Sequence, residues 1–482
     1  MKLMKTSMIL IAAMTLAGCQ SAYRNHAKEV ANSFKNGDYQ TASATAKEGA
    51  AKRADDETER VIYNLEAART AQAAGDYYGS ITHYDAVHED LRPYLDTEAQ
   101  YTVSEAVATT AVNQAMRTYR GTPGERIMAS SMNSLNHLAV GDRDSARLEL
   151  NRAWDWQQDA IKRYQKEIEA AQKKLEKEAE DEGVAGSTSR DIPDFMKSYY
   201  SGLDNMSGYA DYRNPFASHL RGVYMLTNAV DDGDRDRARF DLRQAIQDNP
   251  NCEPALRDDL QLLEGSQRHL VPPITWIYFM TGRSPYYEEL EIRVPIPSSQ
   301  VPTAAAAFPM LKTHDDHLRY MEVDIQDGNG PIKTVQLVDM DSVVANEFNT
   351  RLPLIISQEI MSAAAKAAAT YGMSEGMGDW GTLIGTVYQQ ATAEADLRCW
   401  QSMPKEIQVA RVLTPQGGQI QLSGPGGRNL GTASVTPGES NIVVGTLPSA
   451  MAPNPSTMSL QLTGKPIKPE LKAPEQAETP AS

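Results

Sequence analysis

Gly37-Asp38-Tyr39-Gln40-Thr41-Ala42 and Gly75-Asp76-Tyr77-Tyr78-Gly79-Ser80 are two copies of one signal, and reading it decides the fold. Glycine ends a helix cheaply in a left-handed conformation. The aspartate after it caps the next helix by accepting orphan backbone N–H groups. The small residue four positions further on lets the two helices approach closely. Looser copies are Gly141-Asp142-Arg143 before Ala146 and Gly233-Asp234-Arg235 before Ala238. Residues 25 to about 270 suit such hairpins, being rich in Ala, Glu, Lys, Arg and Gln and poor in Pro.

The turn is similar to that of tetratricopeptide-type repeats. The first two copies lie 38 residues apart, near the repeat length of about 34. The later spacings of 66 and 92 predict an irregular array with extra or longer helices. Asp248-Asn249-Pro250-Asn251 reads as a repeat end. Residues 158–182 keep an apolar stripe (Ile161, Tyr164, Ile168, Ala171, Leu175) among many Lys and Glu. They predict a charged helix projecting past the array, with a loop to about residue 192. Tyr199, Tyr200, Tyr209, Tyr212, Phe216 and Tyr224 read mostly as core of the next helix pair.

At Pro272-Pro273 the pattern changes. Ile274 to Met280 suits a buried strand, and Leu290, Ile292, Val294 and Ile296 alternate as a half-exposed one. Met321, Val323 and Ile325, the turn Asp327-Gly328-Asn329-Gly330, and Lys333 to Val338 predict a hairpin. Residues 341–371 read as helix interrupted at Pro353, and residues 382–400 as a further helix. Gln408–Leu413 and Gln419–Leu422, joined by Gly417-Gly418, predict a second hairpin, and Ile442–Val444 a last strand. The expected fold is thus multidomain: an all-α tetratricopeptide-like array over 19–270, then a smaller α+β domain with antiparallel strands over 271–446. The Pro-rich stretch 447–482 reads as a disordered tail.

The N-terminus supplies an address. Lys2 and Lys5 precede an apolar run from Met8, which is too short to span a bilayer and ends in Leu16-Ala17-Gly18-Cys19. Residues 1–18 read as a lipoprotein signal peptide. Cys19 then becomes the acylated mature N-terminus, since two or three acyl chains anchor stably where one is marginal. Gln20, in place of an aspartate, favours the periplasmic face of the outer membrane. Residues 1–18 carry Lys2 and Lys5 and no acid, so their removal takes the net charge from −16 to −18. That disfavours nucleic acid and anionic lipid as partners.

Chemical signals are sparse. Cys252 and Cys399 remain after lipidation, and two free, packed thiols are favoured over a disulfide. His314-Asp315-Asp316-His317 is the best metal-like cluster, but such residues in an exposed turn are more often simply solvated. Gly424-Pro425-Gly426-Gly427 lacks the Lys-Ser/Thr ending of a phosphate loop and reads as a turn. No metal, cofactor or catalytic residue is expected. On a helix, Asp396 and Arg398 at i and i+2 would not face each other, so Arg398 is expected to pair elsewhere or stack on a ring.

The order of parts resembles an uncharacterised family of bacterial lipoproteins with a tetratricopeptide-like helical half and a smaller β-containing half. The residues that carry the resemblance are the Cys19 lipobox, the Gly-Asp turns and Asn214-Pro215-Phe216. With them go Gly282-Arg283-Ser284-Pro285 and Ala395-Asp396-Leu397-Arg398-Cys399-Trp400 running into Met403-Pro404. The chain departs from the family pattern at Leu397, Cys399 and Met403. The resemblance implies location and fold and no established reaction. The leading expectation is a non-catalytic envelope scaffold whose helical array binds an envelope protein, in assembly of an envelope or secretion structure. The alternative is an enzyme, or enzyme regulator, acting on peptidoglycan or another polysaccharide. A cleft of converging polar groups near Asp396, Arg398 or His314 would favour the alternative.

Overall fold

Three of the four Gly-Asp turns fold as read. The computed structural model describes residues 23–96, 117–181, 188–206, 209, 212–264, 271–296, 303–377 and 394–465. Gly37, Gly75 and Gly141 sit at φ of 75°, 83° and 75°. The carboxylates of Asp38, Asp76 and Asp142 accept the backbone N–H of Thr41 (3.2 Å), Gly79 (2.9 Å) and Ser145 (3.0 Å). Ala42, Ser80 and Ala146 are fully buried where the helices meet. The turns join α1 (residues 23–35) to α2 (Tyr39–Lys52), α3 (Arg60–Ala73) to α4 (Tyr77–Asp96), and α5 (Pro123–Ala139) to α6 (Arg143–Asp159).

The fourth turn is corrected. α9 (Pro215–Thr227) is capped by Asn214, whose side chain accepts from Phe216 and Ala217, but α10 (Asp232–Asp248) is capped by Asp231. Asp231 accepts the Asp234 N–H at 2.8 Å. Gly233 lies in the first helical turn without a positive φ. Asp234 is instead buried, accepts from Val230 N–H (3.0 Å), and pairs with Arg147 (2.5 Å) and Arg237 (2.8 Å). The earlier acid takes the capping role and frees Asp234 to tie α10 to α6.

A π-helical turn, Ala160–Tyr164, leads from α6 into α7 (Gln165–Asp181). This charged helix does not project. Its stripe of Ile168, Ala171, Leu175 and Ala179 packs on Leu354 and Met361. α8 (Asp194–Tyr200) and α11 (Glu253–Glu264) complete the described helices of this half. Of the aromatic stretch, Tyr200 and Tyr224 are buried and bond backbone carbonyls, Phe216 is buried, and Tyr199 is exposed.

A half of mixed sheets and one long helix follows. β1 (Ile274–Thr281), β7 (Glu406–Leu413), β6 (Val335–Asp339), β10 (Asn441–Leu447) and β11 (Ser456–Gln461) form a five-stranded sheet in the order β11-β10-β1-β7-β6. β1 and β10 run parallel, and the other pairs are antiparallel. β4 (Glu322–Asp324), β5 (Ile332–Lys333), β8 (Gln419–Gly424) and β9 (Arg428–Ser434) form a four-stranded antiparallel sheet. β2 (Tyr286–Pro295) and β3 (Thr303–Lys312) form a hairpin against α12 (Met340–Met377).

β1 is buried on both faces, and its alternation sorts the layers. Ile274, Trp276, Tyr278 and Met280 share a core with Ile62, Leu65, Met128 and Leu220 of the helices. Ile277 and Phe279 share a core with Val323, Ile420, Leu422 and Leu430 of the four-stranded sheet. The order is therefore helical layer, five-stranded sheet, four-stranded sheet. The change of composition at residue 271 separates helices from strands, but one core runs across it.

Four further expectations are corrected. β7 and β8 are not a hairpin, because Gly417-Gly418 carries the chain between sheets and β8 pairs with β4 and β9. Pro353 does not interrupt α12, where burial of Leu352, Ile355, Ile356 and Ile360 against β2–β3 offsets the lost backbone bond. Residues 394–400 are irregular rather than helical, and 382–393 lie outside the described residues. The stretch from Leu447 is ordered as far as Lys465. There β11 pairs with β10 and buries Met458 and Leu460, an inward alternation that outweighs the local proline content. Residues 466–482, like Leu16, Ala17, Gly18 and Cys19, lie outside the described residues. Among the described residues, no helix is long and apolar enough to cross a membrane.

Candidate functional site

Asp396 and Arg398 lie on the wall of a cavity of about 290 Å³ where the helical half meets the α+β half. Its walls are the segment entering α5, the start of α7, the base of the β2–β3 hairpin, the middle of α12 and the stretch 396–399. Because that stretch is irregular, with the Asp396 carboxylate also accepting the Arg398 N–H at 3.1 Å, the two side chains do meet. Arg398 Nε and one terminal nitrogen donate to the two Asp396 oxygens at 2.8 and 2.7 Å. The i and i+2 separation forbids this on a helix but not here. The guanidinium also donates to Thr58 O (3.0 Å) and lies 5.3 Å from the Tyr119 ring, as the stacking expectation required.

The entry to α5 is built on a capping box. Thr122 Oγ1 accepts from the Glu125 N–H, and Glu125 Oε2 accepts from the Thr122 N–H at 2.8 Å. Glu125 also receives the Tyr119 hydroxyl (2.6 Å) and the Trp400 N–H (2.9 Å). Burial pushes its pKa up, but its hydrogen bonds are complete and its role is to hold the wall.

Other polar groups around the cavity are less well satisfied. Glu347 accepts the Gly124 N–H at 2.6 Å through Oε1, and its buried Oε2 has no hydrogen-bond partner. Burial raises its pKa to about 7. Burial does the same to Glu167, against the opposing pull of Arg126. Arg117 Nε is buried and unpartnered, and burial lowers the Arg117 pKa. Arg117, Arg120, Arg126, Arg351 and Arg398 all line the cavity. Four carboxylates face these five guanidiniums, and burial biases two of the four, Glu347 and Glu167, towards the neutral form. In a chain of net charge −16 the local balance is inverted to positive. Tyr164, Tyr287 and Phe348 add aromatic surface.

Cys399 also lines the cavity, but burial pushes its thiol far above the ordinary range, which removes it as a nucleophile. Cys252 and Cys399 are free and buried, as favoured from sequence. The His314 cluster does not assemble. His314 stacks on Tyr286 at 4.8 Å and approaches Arg283, while His317 lies 3.5 Å from Glu406. Gly424-Pro425-Gly426-Gly427 is a turn between β8 and β9. Gly37, Asp38, Gly75, Asp76, Gly141, Asp142, Gly233 and Asp234 belong to helix ends and do not line the cavity. Sequence reasoning missed Arg117, Glu347 and Arg351. A signal existed in the three arginines crowded into residues 117–126, and in charges placed within an otherwise Ala-rich helix.

No protein family, characterised protein or solved structure matches the chain.

Proposed function

We propose that this chain is a lipid-anchored envelope protein that binds a small organic anion in the cavity between its two halves. One observation carries the reading: five arginines surround a single cavity in an otherwise strongly acidic chain, with Arg117 Nε left without a protein acceptor. Guanidinium recognises carboxylate and phosphate through paired N–H donors. The aromatic wall suits a ring, as binding sites commonly combine apolar surface with a few placed polar groups. Peptidoglycan fragments, which carry sugar rings and carboxylates, meet both requirements. The polysaccharide-directed alternative is therefore the better supported of the two expectations, in the form of a binding protein or regulator.

The helical layer is read as tetratricopeptide-like on the strength of its three Gly-Asp turns. Partner binding through that layer has less behind it, because one of its faces is already covered by the chain's own sheet. Lipid anchoring rests on Leu16-Ala17-Gly18-Cys19 and the outer-membrane location on Gln20, while membership of the lipoprotein family rests on these together with the Gly-Asp turns and the Asn214, Gly282 and Ala395 stretches.

The test is titration calorimetry of the full chain in detergent with muramyl dipeptide, and with neutral N-acetylglucosamine disaccharide as comparison. Saturable, salt-weakened binding of the anionic probe, reduced at least tenfold by Arg351→Gln, is expected. Equal affinity for the neutral sugar, or no effect of Arg351→Gln, overturns the reading. The anchor is tested by labelling with a fatty-acid probe, where equal signal from wild type and Cys19→Ala excludes lipidation at Cys19.

A further inference from the structure

We propose that Asp85, His137 and Glu149 form a binding site for one zinc-class divalent ion at the junction of α4, α5 and α6. The three side chains come from three different helices. Each offers a ligand atom, and these atoms lie within 4.8 Å of one another. Tetrahedral zinc with N and O ligands at about 2.0–2.2 Å needs ligand atoms roughly 3.4 Å apart, so small side-chain rotations close the set. Three protein ligands leave a fourth position open.

The state of the surrounding polar atoms points to a ligand. Glu149 is buried (3 % exposed). Arg152 pairs with its Oε1, and its Oε2 faces a histidine. His88, one helical turn beyond Asp85, is 92 % buried by the same measure (8 % exposed), and its Nε2 lies 3.0 Å from Glu149 Oε2. His88 Nδ1 and His137 Nδ1 make no hydrogen bond. A buried imidazole nitrogen left without a partner is costly unless something else satisfies it. A cation drawn to Glu149 and His137 supplies that partner, with His88 positioned beside the Glu149 ligand.

Two further polar groups lie beside the proposed ligands. Asn133 Nδ2 approaches Asp85 Oδ1 at 3.4 Å, and the Asp142 carboxylate lies 3.8 Å from His137 Nδ1. Asp142, the cap of the third Gly-Asp turn, thus adds negative charge beside the histidine nitrogen that the cation would take. Asp85 is exposed, which gives an ion a route in from solvent. A mixed set of imidazole and carboxylate selects zinc and its neighbours over magnesium and calcium, which prefer all-oxygen sites.

The experiment strips the full chain in detergent with a chelator, dialyses it against micromolar Zn²⁺, and measures bound metal by mass spectrometry. One zinc per chain is expected, undiminished by millimolar Mg²⁺. Asp85→Asn, at an exposed position that tolerates the change, and His137→Gln should each weaken binding at least tenfold. Co²⁺ loaded in place of Zn²⁺ should give a visible d–d absorption that His137→Gln abolishes. Substoichiometric zinc in wild type, zinc binding unchanged in both variants, or displacement by Mg²⁺ overturns the proposal. None of these readouts depends on the anion cavity, so failure here leaves that reading standing.

Discussion

The helical layer meets the α+β half at two joints that treat buried charge in opposite ways. At the first, Asp259 is fully buried and each of its oxygens accepts a bond. Trp276 Nε1 donates at 2.8 Å and Arg411 Nε at 2.6 Å. Beside them the Tyr278 hydroxyl and His219 Nδ1 bond at 2.8 Å, with His219 Nε2 3.8 Å from Asp259. At the second joint, the arginine-lined cavity, Glu347 Oε2 and Arg117 Nε are buried with no bond at all. The same device, an acid and a base brought from distant parts of the chain, is completed at one joint and left incomplete at the other. A completed network fixes how the layers pack, whereas an incomplete one keeps binding capacity in reserve at a cost in stability.

The largest expected effect falls on the completed joint. Asp259→Ala leaves the buried Trp276 indole N–H without its acceptor and takes from Arg411 its closer carboxylate, leaving it Asp258 at 3.4 Å. Breaking a buried charged pair from one side costs about 3–5 kcal/mol. Denaturant unfolding of the full chain checks it. A loss below about 1 kcal/mol would place the cohesion of the two halves elsewhere and break the comparison.

The incomplete joint carries a pH signature. Glu347 keeps its proton to about pH 7 in the folded chain, because burial disfavours the carboxylate, against an ordinary value of 4.5. Between those values the folded state binds more protons than the unfolded state. The stability from this residue is therefore fully present below about pH 4.5 and is lost as pH rises through about 7. By linkage the loss approaches about 3 kcal/mol. Burial raises Glu66 and Asp241 to about 7 as well, so the whole chain should slope the same way. Glu347→Gln isolates one contribution: the fall in unfolding free energy from pH 5 to pH 8 should shrink by about 3 kcal/mol. An unchanged slope would mean that Glu347 is ionised and already partnered, which would erase the contrast with Asp259.

Neither joint was legible in the sequence, and the reason is distance along the chain. Gly37-Asp38 and Asn214-Pro215 act within one helical turn, so their chemistry can be read where it stands. β1 was legible too, as an apolar run. Its parallel pairing with β10, from Thr275 opposite Asn441 to Thr281 opposite Leu447, depends on contacts no local pattern encodes. Gly417-Gly418 looked like a hairpin turn because a turn signal says that the chain bends, not which sheet it enters. β11 was hidden behind the prolines of 447–455, although Met458 and Leu460 alternate inward as a strand requires. At the cavity, Asp396 and Arg398 stand out in the sequence, but a helical reading sets them apart. Arg351 and Glu347 gain meaning only once α12 is laid against the entry to α5.

The smallest effect separates local turn chemistry from its lookalike. Gly75 sits at φ +83° with nothing within 4 Å of where a Cβ would go, so Gly75→Ala meets only the left-handed backbone penalty of about 1 kcal/mol. Gly233 shares the same Gly-Asp motif but has ordinary helical geometry after Asp231. The nearest atom to an added Cβ there is the capping Asp231 Oδ1 at 3.2 Å, which needs to shift only a few tenths of an ångström and can do so while keeping its bond to the Asp234 N–H. Gly233→Ala should therefore stabilise the chain by roughly 0.5 kcal/mol, chiefly by restricting the unfolded state. Opposite signs in thermal unfolding would confirm that the motif has been displaced by three residues at the fourth helix pair. Matching losses would mean that Gly233 does end a helix as the other three do, and that Asp234 rather than Asp231 is the cap. Both substitutions should remain well below Asp259→Ala, because a turn acts on one hairpin while the completed joint holds two layers together.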